Sequence, residues 1–299
     1  MSTTFRCGYV ALVGRPNVGK STLLNHLLGQ KLSITSRKPQ TTRHRILGIK
    51  TKPSAQLIYV DTPGIHKGGS RALHKHLNRA ARSILQDMHV VVLVVDAMNW
   101  TDEDDLALEA CKSAGCPVIL AINKIDLIKD KDALLPYINE LTSKFNFDHV
   151  IPVSAKKNIQ TDELENAIEQ KLPFSEPYYD EEQITDRSSS FVAAEIIREK
   201  LVRLLGDELP YETTVEIEKF QDTEKLLKLY AVIWVERDNQ KAIVIGKNGA
   251  RLKQIGQQAR EDLEKFFGKK VYLQTWVKIK KGWSDSERAL QQLGYKDEF

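Results

Sequence analysis

Cysteine is scarce in this sequence, and long hydrophobic runs are missing. Three of the 299 residues are cysteines, Cys7, Cys111 and Cys116, and their spacings fit no zinc site. An odd number of cysteines in a long chain argues against a disulfide framework and for a reducing compartment. The longest apolar run, around residues 90–95, is far too short to cross a bilayer. The first residues lack the basic and apolar stretches of a secretory signal, so we expect a cytoplasmic protein.

A large excess of charge of either sign is also missing. The 44 Lys and Arg residues nearly balance the 40 Asp and Glu residues, which leaves a formal net charge of +4. Any affinity for nucleic acid or for a membrane surface therefore has to come from local clusters of charge. The hydrophobic content of 41% is sufficient for two buried cores in a chain of this length.

A phosphate-binding pattern, G-x-x-x-x-G-K-[ST], is present in the string GRPNVGKS at residues 14–21. The apolar run at 9–13 predicts a strand before it, and the stretch at 20–28 predicts a helix after it, which is the order that this loop requires. Its glycines let successive backbone N–H groups converge on phosphates. Lys20 adds a positive charge, and Ser21 offers a hydroxyl group to Mg²⁺.

A second apolar run ends at the string DTPG, residues 61–64. There Asp61 is placed to hold Mg²⁺ directly or through water, and Gly64 is placed to donate its N–H group to the terminal phosphate. The predicted phosphate-binding residues are Gly14, Asn17, Val18, Gly19, Lys20, Ser21, Thr22, Asp61 and Gly64.

A guanine pocket is predicted from NKID at residues 123–126 and SAK at 154–156, each of which follows an apolar strand. The Asp126 carboxylate only accepts hydrogen bonds, so it can pair with the two neighbouring donors on the guanine edge, which adenine lacks. Asn123 has two possible roles, a bond to the base or a bond to the phosphate loop. The predicted guanine-binding residues are Asn123, Lys124, Asp126, Ser154, Ala155 and Lys156, with the Lys124 stem over the ring and the Ala155 N–H near the guanine carbonyl.

Buried runs alternate with helical stretches through the first half of the chain. This alternation predicts an α/β fold with a mainly parallel sheet and helices on both faces. With the four strings above, residues 5–172 resemble the Ras-like superfamily of P-loop GTPases. The resemblance implies a G domain that binds GTP or GDP with Mg²⁺ and hydrolyses GTP.

A linker is predicted over residues 173–190, where two prolines, an acidic cluster and three consecutive serines break the periodicity. The second domain, 191–299, is expected to begin with a helix over 191–210 that ends near Gly206. A strand hairpin, a Gly-x-x-Gly loop, another helix, a last strand and a short helix from Ser284 follow. The order resembles an α+β type II KH domain, in which this loop clamps the backbone of single-stranded RNA.

Basic residues accumulate around that loop. Residues 237–281 contain twelve Lys or Arg residues against four Asp or Glu residues. Trp276 and Trp283 flank the last lysines and are candidates for stacking on bases, although for Trp276 we favour packing in the core. The predicted RNA-binding residues are Ile245, Gly246, Lys247, Asn248, Gly249, Arg251, Lys253, Lys278, Lys280 and Lys281.

A polar, basic stretch at 34–49 contains the string QTTRHR and is a candidate switch loop. The string resembles the effector region of the bacterial Era family (TrmE-Era-EngA-like GTPases). This resemblance implies that Thr42, or else its neighbour Thr41, is a third magnesium ligand beside Ser21 and Asp61. For Arg43 and Arg45 themselves we favour a solvated position.

Hydrolysis is expected to be slow without help. Many Ras-like enzymes place a glutamine after the DxxG glycine to orient water, and this chain has Ile65. Asn17 matches the position at which potassium-activated relatives hold a monovalent cation; the alternative is a loop residue that bonds its own backbone. The predicted catalytic residues are Lys20, Thr42, Gly64 and Asn17.

The resemblance to the Era family extends over nearly the whole chain. It implies a GTP-dependent factor for assembly of the small (30S) ribosomal subunit and maturation of its RNA, which binds the 3′ region of 16S rRNA. It also implies a cytoplasmic monomer with peripheral association with the inner membrane. Two alternatives stay open: a GTPase accessory to RNA modification, and an RNA-binding protein whose nucleotide site does not turn over.

Overall fold

The computed structural model describes residues 4–36, 43–62, 84–205 and 213–286. The buried runs of the first half form one six-stranded sheet, as their alternation with helices predicts. Its spatial order is β2-β3-β1-β4-β5-β6; β2 pairs antiparallel with β3, and the other neighbouring strands pair parallel. The strands are β1 (Arg6–Val13), β2 (Ile46–Thr51), β3 (Ala55–Asp61), β4 (Val90–Asp96), β5 (Val118–Asn123) and β6 (His149–Pro152).

Helices cover both faces of this sheet because its strands are apolar on both sides. On one face, Leu24 of α1 and Ile168 of α4 pack in one hydrophobic core. On the other face, Leu108 of α2 and Leu141 of α3 pack in a second core. The predicted mainly parallel sheet with helices on both faces is confirmed. These helices are α1 (Lys20–Leu28), α2 (Asp102–Lys112), α3 (Leu134–Lys144) and α4 (Thr161–Lys171).

The predicted linker lies along the edge of the first domain. Pro173 O accepts a hydrogen bond from the Cys7 N–H at 3.1 Å. The Gln56 side chain, fully buried, accepts from the N–H groups of Tyr178 and Tyr179 at 2.8 and 3.0 Å. Hydrogen bonds therefore attach this segment to β1 and β3.

In the described residues of the second half, 189–205 and 213–286, the chain forms a three-stranded sheet and three α-helices. Strands β7 and β8 pair antiparallel, β8 and β9 pair parallel, and the order is β7-β8-β9. This arrangement agrees with the predicted KH order except for one helix, α6, which contains the apolar run before the glycine loop. The elements are α5 (Ser189–Leu204), β7 (Thr214–Asp222), β8 (Leu226–Val235), α6 (Asp238–Ile245), α7 (Ala250–Phe267) and β9 (Lys270–Ile279).

Some predicted boundaries of the second half shift. Helix α5 begins at Ser189, two residues before the predicted start, because the Ser188 side chain caps it by accepting from the Phe191 N–H. It ends at Leu204; Gly206 lies outside the described residues. The helix predicted from Ser284 appears as a single 3-10 turn, Trp283–Asp285, and its continuation past residue 286 is also outside them. No helix within the described ranges has the length and apolar character that a membrane span requires.

Candidate nucleotide pocket and RNA clamp

The phosphate loop leaves β1 at Val13 and enters α1 at Lys20, as predicted. Two of its glycines are required by the space around them. A Cβ atom on Gly14 would lie 2.3 Å from the Val94 carbonyl oxygen, and one on Gly19 would lie 2.4 Å from the Asn123 amide nitrogen. Both glycines have positive φ, 151° and 103°. The loop is therefore packed too closely against β4 and β5 for any side chain at these positions.

Lys20 directs its ammonium group across the loop. Its Nζ donates to the carbonyl oxygens of Gly14 and Arg15, both at 2.9 Å, and the side chain is buried. Desolvation lowers the pKa of Lys20 to about 8, against the opposing effect of Asp61 and Asp104. A buried ammonium beside the start of α1 is a strong attractor for phosphate oxygens.

The described oxygen groups that are predicted to hold Mg²⁺ meet at the end of β3. Ser21 Oγ donates to Asp61 Oδ2 at 2.9 Å, and Asp61 is fully buried. Ser33 Oγ also donates to Asp61 Oδ2, and no motif in the sequence marks this serine. A carboxylate and hydroxyls at this spacing are the hard donors that Mg²⁺ prefers, so the residues fit the ion. Thr41, Thr42, Gly64 and Ile65 lie outside the described residues.

The two sequence strings that are predicted to bind guanine, NKID and SAK, meet at the carboxyl ends of β5 and β6. Asn123 Nδ2 donates to the Val18 carbonyl at 2.7 Å, which matches the second of its two predicted roles, a bond to the phosphate loop. The Ala155 N–H, expected to face the guanine carbonyl, donates to Asn123 Oδ1 at 3.0 Å. Asp126 Oδ1 accepts from Ser154 Oγ at 2.6 Å. The structure thus brings the two strings together and orients Asp126 through a neighbouring hydroxyl.

Lys124 takes up a left-handed conformation, with φ of 69°, between β5 and the turn that carries Asp126. Its Nζ forms an ion pair with Asp96 at 2.8 Å, a partner at the end of β4 that the motif spacing does not indicate. This pair holds the aliphatic stem of Lys124 in place at the rim of the pocket. Lys156, predicted from the SAK string, is exposed.

The predicted RNA clamp lies where α6 ends and α7 begins. Gly246 and Gly249 have φ of 72° and 76°, and Asn248 has φ of 52°. A Cβ atom on Gly246 would lie 2.7 Å from Arg251 Cβ, so this turn closes tightly on α7. Arg251 Nη1 also donates to the Ile243 carbonyl at 3.0 Å and closes the end of α6. The exposed residues Lys247 and Lys253 are left facing solvent beside the start of α7.

The predicted RNA-binding residues lie on two different faces of the KH domain. Lys247 and Arg251 lie with the helices, whereas Lys278 and Lys280 reach over the opposite face of the sheet, within 6 Å of the Trp234 ring. Lys281 is exposed just beyond the end of β9.

The predictions for the two tryptophans are wrong. Trp276, assigned to the core, is 38% exposed because strand alternation places it on the solvent side of β9. Trp283, offered as a base-stacking residue, is fully buried. A Trp283 ring with no exposed area has no surface on which a base can stack.

Comparison with known proteins decides the family. The GTPase Era of Ectopseudomonas mendocina is 57% identical over 292 residues, 98% of this chain and 98% of the relative, and that of Pseudomonas aeruginosa is 56% identical over 98% of this chain and 96% of the relative. The chain belongs to the Era family of GTPases. A family described as 50S ribosome-binding GTPase matches residues 9–124, and the KH domain family matches residues 208–284.

Two solved structures of Era proteins have the same fold as this chain. A point variant of Aquifex aeolicus Era bound to GDP.AlF4⁻ is 39% identical and superposes with a TM-score of 0.93 over 97% of this chain and 99% of that one. Era in complex with MgGDPNP and nucleotides 1506–1542 of 16S ribosomal RNA is 40% identical, with the same TM-score and coverage. GTP hydrolysis is the activity of this family, and this member is a GTPase with a C-terminal KH domain.

In this Era-family chain, the last residues of the QTTRHR string, which lie within the predicted switch loop, dock on the KH domain. Arg43, expected in solvent, is 3% exposed, and its Nη1 donates to the Thr213 carbonyl at 2.9 Å. His44 packs edge-on against Phe191 of α5 with ring centroids 5.1 Å apart, and desolvation lowers the pKa of His44 to about 3. Arg45, also expected in solvent, is only partly exposed. Docking on the second domain therefore buries Arg43 and desolvates the His44 ring.

A second contact joins the start of the same loop to α5. Glu199 is fully buried and accepts from the Thr35 N–H at 3.2 Å and from Thr35 Oγ1 at 3.3 Å. Arg203 pairs with Glu199 at 2.8 Å, and Lys31 pairs with it as well. Lys31 also pairs with Asp262 of α7 at 2.8 Å. One carboxylate therefore connects α5 to both residues 31 and 35 of the G domain.

Proposed function

We propose that this GTPase is a GTP-operated switch that binds single-stranded 16S rRNA near its 3′ end and acts in 30S subunit assembly and rRNA maturation. The observation that carries the proposal is the similarity, over 97% of the chain, to the Era protein crystallised with MgGDPNP and nucleotides 1506–1542 of 16S rRNA. The clamp geometry at 246–249 supports it independently, because two glycines and exposed lysines at a helix start suit an RNA backbone.

In the proposed nucleotide site, each residue has one task. Lys20 binds the terminal phosphates, and Gly64 donates its N–H to them. Ser21, Asp61 and Thr42 hold Mg²⁺, whose charge offsets the charge that builds on the phosphate oxygens during hydrolysis. Asp126 selects guanine, while Asn123 fixes the distance between the base pocket and the phosphate loop. The loop residues from Asn17 to Thr22 and the guanine loop residues Ser154 to Lys156 complete the site.

Nucleotide state reaches the KH domain, in this proposal, through the segment around the switch loop. Residues 35 and 43 lie at the two ends of the stretch that carries Thr42, and both ends contact the second domain. Binding of Thr42 to the Mg²⁺ of a bound nucleotide would shift residues 35 and 43, and hence change their contacts with the second domain. The division into a G domain over 5–172, a linker over 173–190 and a KH domain over 191–299 is part of the same proposal.

The proposed RNA clamp can be tested by introducing a negatively charged side chain at Gly249. A Cβ atom added to this glycine would have no heavy atom within 4 Å, and the left-handed φ is one that Asp and Asn tolerate. We expect Gly249→Asp to lower RNA affinity at least about tenfold, because a carboxylate beside the phosphates repels them. Gly249→Asn, of the same shape without the charge, is the matched control and should stay close to the parent protein.

The measurement is crosslinking and fluorescence anisotropy with a 16S 3′-end RNA, in GTP analogue and in GDP. Affinity for GTP serves as a check on folding and should be equal in the three proteins. Equal RNA affinity of the Asp and Asn variants would show that the loop does not bind phosphates, and the clamp assignment would fail.

Potassium is proposed as the activator of hydrolysis. Asn17 is exposed in the phosphate loop with φ of 65°, so its side chain is available to a monovalent cation beside the phosphates. We expect turnover to be about tenfold or more faster in potassium chloride than in sodium chloride at equal ionic strength, because the cation adds charge stabilisation that Ile65 cannot. Asn17→Gly, which keeps the left-handed conformation, should remove the difference. Equal turnover of the parent protein in the two salts would remove the proposal.

The two rival functions are separated by a turnover assay. An RNA-binding protein whose nucleotide site does not turn over would hydrolyse GTP no faster than buffer, with or without RNA. A GTPase accessory to RNA modification would bind its partner enzyme and show no dependence on the 16S sequence. Cytoplasmic location, a monomeric state and peripheral association with the inner membrane stay predictions of the family resemblance; sedimentation with and without anionic vesicles tests the last two.

A further inference from the structure

The sheet of the KH domain has two unlike faces. Along β8, Leu229, Ala231 and Ile233 point into the hydrophobic cores that the helices cover. The residues between them point to the opposite face of the sheet, away from the helices. The same alternation along β9 places its larger polar and aromatic residues on that opposite face. We call this side the open sheet face, defined by Tyr230, Trp234, Tyr272, Trp276 and Lys278.

Aromatic rings form a connected strip on the open sheet face. Tyr230 and Trp276 are stacked, with ring centroids 6.1 Å apart and an interplanar angle of 16°. Tyr230 also contacts Tyr272, with 6.0 Å between centroids. Trp276 is 38% exposed and Tyr272 is 47% exposed. Both therefore offer ring surface on which another planar group can stack.

Lysines surround the strip. Lys219 Nζ lies 5.7 Å from the centroid of the Tyr230 ring, and Lys278 and Lys280 lie 5.8 and 5.9 Å from that of Trp234. Strand alternation places two more, Lys228 and Lys270, on the same face.

Two glutamates offset part of this charge. Glu216 accepts from Trp234 Nε1 at 2.8 Å, and Glu218 pairs with Lys278 at 2.7 Å. With the five lysines above against these two glutamates, the open sheet face is positively charged, and it is suited to a polyanion.

The composition of the open sheet face favours nucleic acid over lipid or an apolar protein surface. The aliphatic side chain at its centre, Val232, is fully buried between its neighbours, so the exposed part consists of rings and of charged or polar side chains. Flat rings beside cations are the platform on which unpaired bases stack while the backbone is held electrostatically. An amphipathic membrane surface requires protruding aliphatic residues instead.

We propose that the open sheet face is a second RNA-binding surface, on which unpaired bases stack on Trp276 and Tyr272 while the lysines hold the phosphates. The inference rests on the proposed RNA-binding function and extends it. The clamp lies on the helix side of the sheet, and β9 is an edge strand, so an RNA strand that leaves the clamp reaches the open sheet face by passing that edge. Such a path bends sharply and requires single-stranded RNA.

The test uses the full chain and two 16S 3′-end RNAs of different length. One, of about five nucleotides, fills the clamp, which holds roughly four nucleotides. The other, of about fourteen, extends past the edge of the sheet. We expect the double variant Tyr272→Thr, Trp276→Thr to lower affinity for the long RNA about tenfold or more and to leave affinity for the short RNA unchanged. Threonine retains the strand preference of these positions.

A control variant and a second test variant distinguish the loss of RNA contacts from misfolding of the protein. Phe174→Thr removes another exposed aromatic residue, 59% exposed and far along the chain from the KH sheet, and should change neither affinity. Lys228→Gln, Lys270→Gln leaves the rings in place and should reduce the slope of log affinity for the long RNA against log salt by about 1.4, as expected for two lost phosphate contacts on a single strand.

Each remaining outcome decides against the inference. Equal affinity of the parent and the threonine variant for the long RNA overturns it, while binding of the short RNA still upholds the proposed clamp. Loss of binding to phosphatidylglycerol vesicles with unchanged RNA affinity would assign the face to lipid instead. If the parent protein binds neither RNA, the proposed function and this inference fall together.

Discussion

Replacing Asp126 with asparagine lowers affinity for GTP by roughly 100-fold or more. The carboxylate would lose two charged hydrogen bonds to the guanine edge, and the asparagine amide would place a donor against a donor. Xanthosine triphosphate carries a carbonyl group where guanine carries its amino group, so its affinity should rise in the same variant. The Ser154 hydroxyl, which donates to Asp126 Oδ1 at 2.6 Å, retains an acceptor in asparagine, so the loop keeps its shape.

Isothermal titration calorimetry with GTP, ATP and xanthosine triphosphate measures this effect. Asp130→Asn is the matched control, because Asp130 is an exposed carboxylate in the same loop whose Oδ1 accepts from the Asp132 N–H at 3.0 Å. The control should bind GTP as the parent protein does. Guanine selection by Asp126 would be refuted by an unchanged GTP affinity in Asp126→Asn, or by ATP binding to the parent protein as tightly as GTP.

Neutralising Glu199 should destabilise the contact between the domains. The buried Glu199 carboxylate lies among Lys31, Lys200 and Arg203, so Glu199→Gln leaves three cations without this counter-charge. Removal of one partner from a buried pair costs about 3–5 kcal/mol. Because Lys31 and Arg203 are partly exposed and water screens them, we expect a loss near the lower end of that range in the stability of the two-domain arrangement.

Loss of the contact between the domains should also reduce the effect of the bound nucleotide on RNA affinity. In the parent protein we expect RNA affinity to differ between GTP analogue and GDP, and in Glu199→Gln we expect the two affinities to become equal. The hydrogen bonds that Thr35 donates to the carboxylate would weaken in this variant. Thermal unfolding and RNA titrations in both nucleotides measure the two effects. Glu261→Gln, an exposed glutamate beside Asp262 on α7, is the control.

A double variant separates a direct interaction from a general loss of stability. Adding Lys31→Gln to Glu199→Gln removes a cation together with its counter-charge. The double variant should therefore lose less stability than the sum of the losses in the two single variants. Simple additivity, or an unchanged ratio of RNA affinities in Glu199→Gln, would show that this carboxylate does not connect the domains.

The pKa of Asp262 is lowered by two of the cations that surround Glu199, namely Lys31 and Lys200. Burial raises the pKa of its carboxyl group, but hydrogen bonds from Lys200 and Lys31 outweigh burial and hold the pKa at about 2. The pKa lies below the ordinary value of 3.8, so the stabilisation that this group contributes is complete above about pH 4 and is lost as the pH falls toward 2. The contact between α7 and the G domain therefore stays charged throughout the physiological range.

The nucleotide pocket was predictable because each of its strings is a local structure. Gly14 and Gly19 are required by the turn they form, and Lys20 and Ser21 follow from the helix that begins there. The same holds for the turn at 246–249. Short loops between a buried strand and a helix are determined by neighbouring residues, so sequence spacing is enough to place them.

Contacts between distant parts of the chain were not predictable in this way. Ser33 belongs to no recognisable motif, yet it bonds Asp61. The sequence around Arg43 favours a solvated position, but the structure buries this residue against Thr213. Helix α6 was missed because its apolar run is too short for its periodicity to separate helix from strand.

The amino-acid sequence by itself indicated the chemistry of this protein: which groups we propose bind phosphate and guanine, and which loop we propose binds RNA, because these candidate sites are built from short continuous strings. The tertiary structure alone decided how the two halves meet and which face of the KH sheet each lysine and tryptophan occupies. Burial of Glu199 and Trp283, and exposure of Trp276, depend on residues far away in the chain. Local spacing carries no information about those neighbours, because burial is a property of the packed whole.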